Sequence, residues 1–67
     1  MNRQDEINNI QKIYNETLNL IALYNKNGLT VPFALKGNLG EFIIQMELLK
    51  RYPKKNIDFR GGAYPGV

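Results

Sequence analysis

Few side chains in this chain could do chemistry. It contains no histidine and no cysteine, so neither a Ser-His-Asp nor a Cys-His arrangement can be built and the usual zinc ligand sets are missing. Neither GxxxxGK[ST] nor GxGxxG occurs, and the glycines of KGNLGE lack phosphate-loop spacing. The acidic residues are Asp5, Glu6, Glu16, Glu41, Glu47 and Asp58. Of these, Glu41 has the unusual setting: it closes G-N-L-G-E, with Gly37 and Gly40 before it and the apolar run Phe42-Ile43-Ile44 after it. A glycine where a helix should be starting costs about 1 kcal/mol against alanine, and close approach of another backbone or of a phosphate is one reason to keep Gly40 there. The same spacing has a structural explanation. Asn38 as N-cap with Glu41 three residues later is a variant of the capping box, in which the glutamate bonds the N-cap amide.

The other candidates are plainer. Asp58 lies in an alternating stretch on the face opposite Ile57 and Phe59, where a charge on a strand edge discourages aggregation. Glu16 and Glu47 read as solvated, and Tyr64 as a packing residue that could also stack on a base. The formal net charge is +3, with Lys50, Arg51, Lys54, Lys55 and Arg60 gathered in the C-terminal third. That excess fits phosphate contact, but on charge alone a solvated basic face is the commoner reading.

These residues must be positioned by a small number of elements. In α1, expected over 2–27, Ile7, Ile10, Tyr14, Thr17, Ile21 and Tyr24 recur at steps of 3, 4, 3, 4 and 3. That is one amphipathic helix, widened by Ile13, Leu18 and Leu20, with Asp5 and Glu6 in its first turns where the helix dipole favours negative charge. Asn27-Gly28 supplies the stop. A connector over 28–37 follows, in which the residue before Pro32 prefers an extended backbone. A second helix is expected over 38–52, with Leu39, Phe42, Ile43, Met46, Leu49 and Tyr52 on one face and Pro53 ending it. Ile44 and Leu48 lie off that face and ask for more cover than one partner helix offers. The alternation Asn56-Ile57-Asp58-Phe59-Arg60 predicts a strand over 56–60, and 61–67 a glycine-proline turn. A lone strand cannot satisfy its own backbone, so a further strand is expected outside these 67 residues.

With 67 residues the chain is at most one domain with a marginal core, and without cysteine it has no disulfide to brace it. No run approaches the ~20 apolar residues of a membrane span and the first residues lack the apolar core of a signal peptide, so no membrane partner is expected and the default location is the cytoplasm.

A helix opening G-x-x-G-E, a basic end to that helix, a short alternating stretch and then G-G-x-x-P-G-V together resemble the first part of the catalytic core of PD-(D/E)XK superfamily nucleases, particularly type II restriction endonucleases. The likeness covers 36–67. In that family a glutamate-bearing helix precedes a strand, a second strand opens with a proline-glycine-hydrophobic-aspartate or proline-aspartate motif, and a third carries (D/E)-x-K. Glu41 matches the helix glutamate, 57–60 the first strand, and Pro65-Gly66-Val67 the approach to the metal-binding aspartate, which would be the next residue. The resemblance implies an α/β fold begun by two helices and one strand, a Mg²⁺ cofactor that generates the attacking water, duplex DNA as substrate, and often a homodimer. It also implies that 1–67 is a single incomplete domain and inactive by itself, because Glu41 is one carboxylate and the (D/E)-x-K strand is missing. Lys36, Lys54, Lys55 and Arg60 are the candidate DNA contacts. Two alternatives stay open: a complete small helical module that binds a partner through Ile44, Leu48 and the exposed side of its first helix, and a small basic nucleic-acid-binding protein.

Overall fold

Asn2 starts the first helix. In the computed structural model, which describes residues 2–57, its backbone is extended (φ −83°, ψ 169°) and its side-chain carbonyl accepts a hydrogen bond from the Asp5 amide at 2.8 Å. One of the orphan amides of the helix end is thereby satisfied, and Asp5 and Glu6 add negative charge at the positive end of the dipole. Helix α1 spans Arg3–Lys26. Its outer face is tied by Gln4 to Asn8 at 2.9 Å and Gln11 to Asn15 at 3.1 Å, one turn apart. Thr17, which falls on the inner stripe, donates its hydroxyl to the Ile13 carbonyl at 2.8 Å and so keeps its polar atom bonded.

The stop is a Schellman turn. Leu29 donates to the Tyr24 carbonyl at 2.9 Å and Gly28 to the Asn25 carbonyl at 3.1 Å, with Gly28 at φ +69°. The Asn27 side chain donates to the Leu23 carbonyl at 2.8 Å, an oxygen that also accepts the Asn27 backbone amide at 3.1 Å.

Helix α2 spans Phe33–Arg51, five residues longer at its start than expected. Pro32 (φ −56°) stands at the N-cap position with no side-chain cap bond, and Leu35 donates to its carbonyl at 3.1 Å. The longer helix follows from packing. Leu35 is half-buried and precedes Leu39, Phe42, Met46 and Leu49 at steps of 4, 3, 4 and 3, so the apolar stripe continues one turn upstream and draws the backbone with it. The residues expected as a connector up to 37 therefore include helix, and the Asn38 cap does not exist.

The two helices run antiparallel, the start of α1 against the end of α2. Ile7, Met46 and Leu49 form the buried core, with Ile10 and Ile57 packed on it. Leu49 is 1% exposed and is, among the described residues, the one side chain almost wholly removed from water. At the turn end Tyr24, Leu35 and Leu39 are only half-buried, and Leu20, Leu23, Tyr24, Asn27 and Leu29 line a shallow open groove.

The α/β expectation is corrected: among the described residues the chain is all-helical, with two helices and no strand. Asn56 and Ile57, expected to open a strand, are irregular, and 58–60 lie outside the described residues, as does the expected 61–67 turn. Alternation placed Ile57 on a buried face, and Ile57 is partly buried. The cover is the helix pair itself, not a neighbouring strand, and no described segment offers the ladder of hydrogen bonds that would hold it extended.

Two consequences can be measured by thermal or urea denaturation of the chain followed by circular dichroism. Gly28→Ala forces a Cβ into left-handed backbone and is expected to destabilise by about 1 kcal/mol. Gly37→Ala and Gly40→Ala sit inside α2 with nothing within 4 Å of the added carbon, and each is expected to stabilise by about 0.5–1 kcal/mol. Destabilisation by either of the last two would show that another chain packs on that face in solution.

Candidate functional site

Glu41 lies two turns into α2 and is exposed. At a 3.6-residue period it shares a flank with Gly37, Ile44 and Leu48, about a third of a turn from the Met46–Leu49 face. No hydrogen bond or ion pair holds its carboxylate among the described residues, and the capping role open to it in the sequence is gone because Asn38 is inside the helix. Ile43 and Ile44, the next residues after Phe42, are 50% and 48% exposed. An unpaired acid thus stands beside uncovered apolar surface.

A magnesium ion takes several hard oxygen ligands. Among the described residues no group of three or more acidic, histidine or cysteine side chains comes together. Glu47 is six residues on and projects to a different side of α2. The described residues therefore do not fit a Mg²⁺ site by themselves, and Glu41 is at most one ligand.

The candidate DNA contacts separate into two places. Lys36 is exposed near the start of α2, about 20 Å along the axis from Arg51. Lys54 and Lys55 lie past the other end of the same helix, exposed and close to Lys50 and Arg51. The structure does not bring Lys36 to them, and Arg60 lies outside the described residues.

Sequence reasoning missed Arg3. Its Nε donates to the Pro53 carbonyl at 3.1 Å, one Nη donates to the Lys55 carbonyl, and the other Nη pairs with Glu6 at 3.5 Å. A guanidinium can hold several acceptors at once because its donors form a rigid planar fork. Arg3 thus ties the first turn of α1 to the chain after α2. Beside it the Lys55 ammonium stands 5.2 Å from the centre of the Tyr52 ring, in cation–π range. An arginine fifty residues from its acceptors carries no signal in a linear reading.

Among the described residues no helix is long and apolar enough to cross a membrane. No protein-family model, no curated protein and no solved structure matches the chain.

Proposed function

We propose that the chain supplies the glutamate-bearing helix of a Mg²⁺-dependent, site-specific DNA endonuclease of the PD-(D/E)XK type, similar to a type II restriction enzyme and acting in the cytoplasm. The observation that carries the reading is Glu41: an exposed carboxylate on α2 with no cap, hydrogen bond or ion pair to account for it among the described residues. The order of the sequence pieces supports it as well, from G-x-x-G-E through the basic helix end to G-G-x-x-P-G-V. So does the uncovered apolar surface around Glu41, which suits a helix laid against more protein.

In this reading the 67 residues alone do not hydrolyse DNA, since a single carboxylate cannot hold the ion. Purified chain incubated with supercoiled plasmid and Mg²⁺ is expected to leave the plasmid intact, and metal-dependent nicking would refute this. The coding sequence gives the second half of the test. An aspartate codon directly after Val67, followed within a few tens of codons by an acidic-x-lysine strand, is the expected continuation; a stop codon or an unrelated sequence counts against the nuclease.

A second reading, a helical module that pairs with another copy of itself, is favoured by one observation. Among the described residues eight large hydrophobic side chains are exposed against three buried, with Phe33 at 89%. Sedimentation of the chain over a range of concentrations separates the two. A discrete dimer with cooperative unfolding favours the module, whereas a loosely folded or aggregating chain favours the nuclease piece.

A further inference from the structure

We propose that the turn after α2 is a docking surface for the sugar-phosphate backbone of duplex nucleic acid, held in shape by Arg3. It shares the DNA partner of the nuclease reading but uses neither Glu41 nor a metal.

Four cations stand within six residues: Lys50, Arg51, Lys54 and Lys55, all exposed. Among the described residues none of them has an anionic partner, the ion pair present being Arg3 with Glu6. Glu47, one turn back on α2, pairs with neither Lys50 nor Arg51. A lone surface lysine means little. Here the backbone beneath the cations is fixed at several points. Tyr52 donates to the Leu48 carbonyl at 2.9 Å and Lys55 to the Tyr52 carbonyl at 3.2 Å, closing a four-residue turn on the helix end. Arg3 grips that turn by the Pro53 and Lys55 carbonyls. Ile57 packs on the Ile7–Met46–Leu49 core and anchors the chain beyond. The turn is therefore pinned on both sides, with Lys54 at its tip.

Duplex DNA presents about one negative charge per 1.7 Å of axis, so four cations on a backbone pinned in this way can meet several phosphates at once and release their counterions. An anionic membrane is the weaker match. Interfacial binding needs cations beside an apolar face that inserts, and the exposed Leu23, Leu29 and Phe33 lie at the turn end of the hairpin, beside Lys26 and Lys36 and away from the four cations of this turn.

The test is fluorescence anisotropy of a labelled 20-base-pair duplex with the full 67-residue chain in EDTA, titrated over salt. Because EDTA removes the metal, failure of cleavage cannot imitate loss of this binding. The expected slope of log affinity against log salt is about −3.5, and Lys54→Ala and Lys55→Ala, both exposed, are each expected to reduce its size by about 1 with the helical circular dichroism unchanged. Arg3→Lys keeps the charge but loses the fork, and is expected to weaken binding several-fold at constant slope. The assignment is overturned by a slope unchanged in both lysine variants, by wild-type affinity in Arg3→Lys, or by binding to polyglutamate or phosphatidylserine vesicles as tight as to the duplex.

Discussion

Leu49 is the contact on which the hairpin turns. With Ile7 and Met46 it forms the buried core; Ile10 and Ile57 pack on the cluster, and Arg3, four residues before Ile7, bonds to the Pro53 and Lys55 carbonyls. Burying one leucine and parts of its neighbours removes only a few hundred Å² of apolar surface, on the order of several kcal/mol before the entropy of ordering is set against it. A two-helix chain of this size has little margin. The local devices, the Asn2 cap and the Schellman turn at Gly28, consequently carry a larger share of the stability than they would in a bigger domain.

The stripe that a 3.6-residue period marks from Ile7 to Tyr24 is the face α1 turns inward. The period could be read because one partner helix covers one stripe. Where two principles competed, the sequence was less legible. Pro32 and the glycines at 37 and 40 argued for a late start to α2, and the stripe extended by Leu35 outweighed them. The alternation at 56–60 pointed to burial of Ile57, which is partly buried, but alternation cannot say whether the cover is a strand or a helix pair.

The site was legible in its parts and not in its arrangement. Glu41 could be singled out among six acidic residues by its setting at the end of G-N-L-G-E; whether it capped a helix depended on a boundary that local signals misplaced. Lys36 and the 54–55 pair looked alike as basic residues, and only the length of α2 separates them. Arg3 was invisible because its partners are backbone carbonyls, which every residue has.

The two ends of the hairpin are held by bonds of different reach. At Gly28 they join residues three and five apart, whereas the Arg3 bonds join residues 50 and 52 apart. Bringing distant chain ends together has an entropic cost that grows with the logarithm of the intervening length. A guanidinium with exposed carbonyl partners does not supply it alone. The apolar cluster beside it brings the ends together, and Arg3 then selects one orientation of the chain that leaves α2. Cluster and arginine thus divide the labour of closure: one provides proximity, the other direction.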